Sequence, residues 1–322
     1  MKYKHIKGTN IDISQLNLGT MMFGGQTSEA ESLAIMDYAF DAGINLFDTA
    51  NIYNNGESER VVGRGIKGRR DKIILATKVG YPMGGDLNEA GLKKETLLKS
   101  IDASLDRLNT DYVDLYYLHA PDYETPIEET LEGMEEILLS GKARHYGISN
   151  FAAWQIAELV AACDKYNFTK PVITQNVYNL ITRSIEAELI PYLQANEMAL
   201  TVYNPIAAGL LAGKHKPGQP ADNTRFSNNE VYYKRYWSEA SFKAIDRLIE
   251  IGKSHDLSLL ELAMNWCANH RQVTSIISGV SKLSQLEQNI KALKEEPLSD
   301  KIMKQCDEVW LELTGNRFRY NR

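Results

Sequence analysis

An alternation of short apolar runs with amphipathic helical stretches, sustained along most of the 322 residues, leaves this chain few architectures. The unit is clearest between Ile44 and Lys78. Ile44-Asn45-Leu46-Phe47 and Ile73-Ile74-Leu75-Ala76 have the length and β-branched content of buried strands. Between them, Glu57 to Gly68 carries Val61, Val62 and Ile66 at helical spacing, with charges around them. Parallel strands joined by a helix end on the same side of a sheet. Asp48 and Lys78, each just past its strand, are therefore predicted to meet, and the loop between them adds Tyr53.

The same unit recurs. Strand ends fall near Leu18, Asp48, Lys78, His119, Ser149, Gln175, Tyr203 and Gly279. Helices are predicted at Leu33 to Ala42, Glu57 to Gly68, Lys93 to Arg107, Ile127 to Leu139, Ala152 to Tyr166, Arg183 to Asn196, Glu239 to Ser254, Leu257 to Asn269 and Leu283 to Leu293. Eight strands, each followed by a helix, predict an α/β fold of the (β/α)8 TIM-barrel type. Residues 2 to 13 read as a hairpin around Lys7-Gly8-Thr9-Asn10, able to close the barrel floor. A long loop after strand 7, Asn204 to Trp237, reads as a functional lid. No linker or repeat divides the chain, so residues 1–322 are expected to form a single barrel domain. A doubly wound dinucleotide fold is the rival, but no G-x-G-x-x-G follows any predicted strand.

A net charge of −6 argues against a nucleic-acid partner, which calls for a basic face. Cys163, Cys267 and Cys306 are odd in number and far apart, as reduced thiols are; neither a disulfide framework nor a metal site is expected. The opening MKYKHIKGTN lacks the apolar run of a signal peptide, and no eighteen-residue apolar stretch exists, so a cytoplasmic protein without membrane attachment is expected. No oligomeric partner is read from the sequence.

Barrel enzymes draw their chemistry from strand ends, and here those ends supply Asp48, Tyr53, Lys78 and His119. Within about 4 Å, Asp48 favours the charged form of Lys78 by roughly 4 kcal/mol at an effective dielectric near 20. A cation beside Tyr53 stabilises tyrosinate and makes the phenol a better proton donor near neutral pH. Such a phenol suits carbonyl reduction, with His119 donating a hydrogen bond to the same oxygen and a cofactor supplying the hydride. Singly, each residue has a plainer role: Asp48 as a helix cap, Lys78 as an ion-pair partner, His119 as a barrel histidine, Tyr53 as one of 17 tyrosines. Four complementary groups at adjacent strand ends are much harder to obtain by chance.

These residues carry a resemblance. Phe47-Asp48-Thr49-Ala50 with Tyr53, Gly56-Glu57-Ser58-Glu59, Ala76-Thr77-Lys78, Asp111 to His119, Gly147-Ile148-Ser149-Asn150, Gln175 to Asn179 and Gly209 to Lys214 resemble the aldo-keto reductase superfamily, in order, from about Leu16 to Asn289. The resemblance implies a (β/α)8 barrel reducing aldehydes and ketones with NADPH, sometimes NADH, without metal or flavin. It makes Asp48, Tyr53, Lys78 and His119 the catalytic tetrad, with Tyr53 the general acid. It assigns Ser149, Asn150 and Gln175 to the nicotinamide carboxamide and Tyr203 to stacking on the ring, with Thr20, Met21 and Asn204 nearby. Leu210, Gly213, Lys214 and Arg225 fall to the phosphates; Gly279, Ser281, Lys282, Gln285, Gln288 and Asn289 fall to the adenosine. Ser281 stands where many relatives carry a basic residue, Gln285 where some carry arginine, and Asn204 where serine is more usual. Lys282 and Arg225 are candidates to replace the missing charge, which favours NADPH with NADH as the alternative.

The expected substrate is a small-molecule carbonyl, in a pocket of Met21, Met22, Phe23, Tyr81, the Asn228 to Trp237 segment and the basic tail Gly315 to Arg322. The tail and Ser281 to Asn289 are similar to the aflatoxin-aldehyde and succinic-semialdehyde reductase branch. A carboxylate-bearing aldehyde is thus one reading; a solvated basic terminus, and lid aromatics that merely pack together, are the others. The superfamily also includes potassium-channel β subunits, so a regulatory NADP-binding subunit is the alternative function. A Schiff-base aldolase using Lys78 is opposed by Asp48, since a nucleophilic lysine must be neutral.

Overall fold

Val113–Leu118, the run VDLYYL, is buried along its whole length, as expected of a parallel strand covered on both faces. The computed structural model describes residues 1–85, 90–222 and 224–315. A hairpin comes first, β1 (Tyr3–His5) against β2 (Asp12–Ser14). Then, among the described residues, eight strands form a closed parallel barrel: β3 (Leu16–Gly19), β4 (Leu46–Asp48), β5 (Ile74–Val79), β6 (Val113–Leu118), β7 (Ala143–Ser149), β8 (Ile173–Val177), β9 (Ala199–Tyr203) and β10 (Ser275–Gly279). Barrel order follows sequence order, and β10 closes on β3. Register pairs Asp48 with Ala76 and Lys78 with Tyr117, so the two ionisable groups leave adjacent strands at the same end.

Helices α1 (Glu29–Asp41), α2 (Glu57–Gly65), α3 (Lys94–Leu108), α4 (Ile127–Leu139), α5 (Ala153–Tyr166) and α6 (Leu189–Ala195) follow β3 to β8 in turn. Four described helices lie between β9 and β10: α7 (Arg225–Asn228), α8 (Glu230–Tyr236), α9 (Glu239–Lys253) and α10 (Leu259–Asn269). Two more follow it, α11 (Leu283–Ala292) and α12 (Asp300–Thr314). The hairpin residues Ile6, Ile11 and Ile13 pack with Leu46, Ala76, Leu115, Ile173 and Ala199 of the barrel interior. The floor is thereby sealed, and chemistry is left to the opposite mouth.

Two expectations are corrected, and one helix is added. The helix predicted at Arg183 to Asn196 begins only at Leu189, after a short 3-10 turn at Ser184–Glu186. Pro191 lacks an amide hydrogen and is tolerated only in a first turn. The segment Asn204 to Trp237 is not structureless. It holds a 3-10 stretch at Ala207–Ala212 and the helices α7 and α8, capped by the Thr224 hydroxyl on Ser227 N and by Asn229 Oδ1 on Val231 N and Tyr232 N. Helix α12 was not anticipated, although Ile302, Cys306 and Val309 recur at spacings of four and three, are buried, and follow a Ser299 cap.

The chain divides into two compact units. Unit one comprises Met1–Asn176, Glu186–Tyr203 and Gln272–Glu287, and so contains the hairpin and almost all of the barrel. Unit two comprises Val177–Ile185, Asn204–Arg271 and the described residues from Gln288 on. Within it, the Arg183 guanidinium lies 4.7 Å over the buried Trp266 ring and donates to Asp307 Oδ1 of α12 at 2.6 Å. Phe226, Trp237, Phe242 and the His215 ring form an edge-packed aromatic cluster in the same unit.

Candidate active site

Burial decides the chemistry at the end of β5. Lys78 is 0% exposed and Asp48 3% exposed. The Lys78 ammonium donates to Asp48 Oδ1, to the Thr49 carbonyl at 2.9 Å and to the Tyr53 hydroxyl at 3.4 Å. Removal from water is the largest influence on Lys78 and by itself favours the neutral amine. The Asp48 charge, the Tyr53 oxygen and their hydrogen bonds together outweigh it and hold the lysine pKa above its usual value. Lys78 is thus a cation. The second Asp48 oxygen accepts from Gln175 Nε2 at 2.8 Å, so both oxygens of the carboxylate are engaged.

Tyr53 opens a 3-10 turn ending at Gly56, and its ring meets His119 edge-on with centroids 6.0 Å apart. His119 is fixed by its backbone: its amide donates to Val79 O at 2.8 Å, and its carbonyl accepts from Asn150 Nδ2 at 3.0 Å. The Tyr81 ring also meets the imidazole edge-on, with centroids 4.8 Å apart. Burial, followed by the Lys78 charge, pushes the His119 pKa well below its usual value. Nδ1 is buried without a hydrogen-bond partner among the described residues. An orphaned acceptor is tolerated better than an orphaned N–H, which assigns the proton to Nε2. A neutral donor at the mouth is the result.

That state is measurable. In 15N NMR, His119 is expected to remain neutral at pH 6, where a solvated histidine is mostly protonated. Below about pH 6.5 the unfolded chain takes up a proton that folded His119 refuses. Its contribution to stability is therefore complete above that pH and declines as the pH falls. A His119 titration near 6.5 in the folded protein would contradict this.

The polar residues expected around a nicotinamide gather at neighbouring strand ends of unit one. Ser149 Oγ donates to Gln175 O at 2.9 Å, Asn150 Nδ2 to Ser149 Oγ at 3.1 Å, and the Tyr203 hydroxyl to Asn150 Oδ1 at 2.7 Å. Asn150 adopts φ 64, a left-handed conformation that asparagine tolerates. Buried Thr20 turns inward, donating to Asp48 O at 3.0 Å and lying 2.9 Å from Ser58 Oγ, while Met21 beside it is half-buried. At the end of β10, Gly279 is exposed, with open space where a Cβ would stand. Gln285 Oε1 accepts from Ser281 N at 2.9 Å, and Lys282 is exposed. On the same helix Gln288 is exposed and Asn289 buried.

In unit two, Asn204 has φ 63, and its Nδ2 donates to the Tyr236 hydroxyl at 2.9 Å. The Leu210 side chain is buried, Gly213 takes φ 74, Lys214 is exposed, and the Arg225 guanidinium lies 5.2 Å over the Tyr232 ring. Two expected pocket residues pack instead. Phe23 is wholly buried, its carbonyl accepting from Asn54 Nδ2 at 2.8 Å, and Tyr236 is buried with its hydroxyl accepting from Asn179 and Asn204. The basic tail, from residue 316 on, lies outside the described residues.

Sequence reasoning missed the Gln175 amide on Asp48 and the packing of Tyr81 on His119. It also missed a buried network beneath Tyr53. Glu59 accepts from Thr77 Oγ1 at 2.5 Å and from Arg107 Nε at 2.6 Å. Thr77 immediately precedes Lys78, which was the available signal.

A closed parallel barrel with a buried lysine–carboxylate pair, a phenol and a neutral imidazole at its mouth defines a (β/α)8-barrel enzyme. Residues 15–311 match the model of the Aldo/keto reductase family. A probable voltage-gated potassium channel subunit beta of Oryza sativa subsp. japonica is 33% identical over 305 residues, 92% of this chain and 93% of the relative. Aflatoxin B1 aldehyde reductase member 2 of Rattus norvegicus is 35% identical over 313 residues, 91% of this chain and 83% of the relative. A putative voltage-gated potassium channel subunit beta of Schizosaccharomyces pombe is 30% identical over 331 residues, 99% and 96% respectively. The chain belongs to the aldo/keto reductase family and is an oxidoreductase acting on carbonyl groups, in a family that generally uses NAD(P)H. None of the described helices is long and apolar enough to cross a membrane.

Proposed function

We propose that this chain, as one catalytic domain in the cytoplasm, reduces aldehydes and ketones to alcohols with NADPH in preference to NADH. The observation that most supports this is the buried Lys78 ammonium, bound to Asp48 and 3.4 Å from the Tyr53 hydroxyl. When bound, NADPH supplies hydride from C4 of its nicotinamide to the carbonyl carbon. Tyr53 gives its proton to the carbonyl oxygen, and Lys78 stabilises the tyrosinate left behind. Asp48 keeps Lys78 charged and in place, while His119 donates from Nε2 to the same oxygen and orients the substrate. The Ser149, Asn150 and Gln175 set has the donors and acceptors a carboxamide needs, and the half-buried Tyr203 ring stands one strand further on. In this reading Thr20, Met21 and Asn204 would also belong to the cofactor site. The phosphates and adenosine would fall to Leu210, Gly213, Lys214, Arg225, Gly279, Ser281, Lys282, Gln285, Gln288 and Asn289.

The test is oxidation of NADPH, then NADH, followed at 340 nm with 4-nitrobenzaldehyde and succinic semialdehyde. Aldehyde-dependent oxidation with a higher kcat/KM for NADPH is expected, and equal or better use of NADH would overturn the preference. The channel-subunit names of two relatives favour one second reading, a cofactor-bearing barrel that regulates a partner. Tight cofactor binding without turnover on any carbonyl would select it.

A further inference from the structure

Three consecutive residues after Tyr53 hold left-handed backbone: Asn54 at φ 49, Asn55 at φ 52 and Gly56 at φ 84. Glycine adopts this region freely and asparagine tolerates it, so such a turn persists only where its surroundings hold it. One clamp is Asn54 Nδ2, which donates to Met21 O at 3.0 Å and Phe23 O at 2.8 Å. The other is Arg107 of α3. A Cβ at position 56 would lie 2.6 Å from Arg107 Cδ and 2.8 Å from its Nε. Arg107 is itself pinned, by Nε on Glu59 at 2.6 Å and by Nη2 on Ser104 Oγ at 3.1 Å. Glu59 is 0% exposed and takes the Thr77 hydroxyl at 2.5 Å. A contact path therefore runs from the strand that carries Lys78, through Glu59 and Arg107, to the backbone of the turn that carries Tyr53.

A buried ion pair is a poor stabilising device, since apolar residues of the same volume often serve as well or better. What this pair adds is fixed geometry beneath a turn whose reach matters. We infer that Arg107 is a positioning residue for carbonyl reduction, setting through Gly56 and Glu59 how closely the Tyr53 hydroxyl approaches Lys78. Its kinetic consequence rests on the reductase reading above. Displacing a reacting group by about 1 Å costs on the order of 100-fold in rate. Drawing the phenol away from a neighbouring ammonium also raises its titration midpoint.

The test compares Arg107→Ala, Arg107→Lys and Arg107→Ala/Glu59→Gln, with 3-fluorotyrosine placed at position 53 for 19F NMR titration. In Arg107→Ala, kcat is expected to fall about 10- to 100-fold, with the aldehyde KM and NADPH Kd within about twofold. The fluorotyrosine midpoint should rise by about one unit. Arg107→Lys should recover most of kcat. Arg107→Ala/Glu59→Gln leaves no buried charge unpaired, so the same signature there excludes an origin in an unpaired Glu59, and it decides the matter if Arg107→Ala fails to fold. Unchanged kcat and midpoint in the folded variants would overturn the inference, as would parallel losses of kcat and NADPH affinity. If the wild type turns over no carbonyl, the reductase reading fails, and the fluorine titration still decides whether Arg107 places Tyr53.

Discussion

Replacing Tyr53 with phenylalanine is expected to lower kcat by about 10²- to 10⁴-fold, the range that one general acid contributes, while NADPH affinity stays within about twofold. The substitution removes one oxygen and keeps the ring that packs edge-on against His119. No neighbouring group replaces the lost proton donor. Lys78 is committed to Asp48 and Thr49 and its pKa is raised, so it resists surrendering a proton. His119 is neutral, and a neutral imidazole N–H is a far weaker acid than a phenol beside an ammonium. Stopped-flow oxidation of bound NADPH isolates the chemical step, and fluorescence titration gives the Kd. A loss confined to Kd would mean that Tyr53 only binds.

Lys78→Met carries the second large effect, because it acts on stability and chemistry together. Methionine keeps the apolar stem but leaves a buried carboxylate without its cation, a change that typically costs about 3–5 kcal/mol. Gln175 Nε2 still donates to Asp48 at 2.8 Å, which places the expected loss near the lower end, about 3 kcal/mol. The double variant Lys78→Met/Asp48→Asn should regain part of that stability, since no charge is then left unpaired. Activity should not return, because nothing remains to hold tyrosinate. Denaturant unfolding and kcat of the two variants check both halves. A double variant as unstable as the single one would show that the carboxylate was not the cause. The sign with pH is also fixed: a raised lysine pKa gives stabilisation complete below about pH 10.5 and lost as the pH climbs through the folded value.

The barrel was legible because its strands are buried on both faces and so read as continuous apolar runs, and because each helix repeats its apolar face at 3.6-residue spacing. The same logic brought Asp48 beside Lys78, since strand ends of neighbouring parallel strands coincide. What escaped was decided by local or third-element contacts. The Asn204 to Trp237 segment has no helical apolar stripe; its helices rest on the side chains of Thr224 and Asn229 and on packed aromatics. The α6 boundary turned on the placement of Pro191 within a helical pattern. Glu59 read as one of the charges around an amphipathic helix, whereas the structure buries it against Arg107, a partner 48 residues away that no periodicity announces. Gln175 was assigned to a cofactor by the family resemblance, and its amide on Asp48 required the barrel to be closed.

The central claim is that this barrel passes hydride from a nicotinamide to a carbonyl carbon while Tyr53 supplies the proton. A single-turnover reaction with NADPH deuterated at C4 and 4-nitrobenzaldehyde, analysed by mass spectrometry, addresses it directly. Transfer of deuterium to the carbinol carbon in the wild type, suppressed in Tyr53→Phe at saturating cofactor, is the predicted result. Saturated cofactor with no deuterium in the product, or equal transfer in the two proteins, would contradict it.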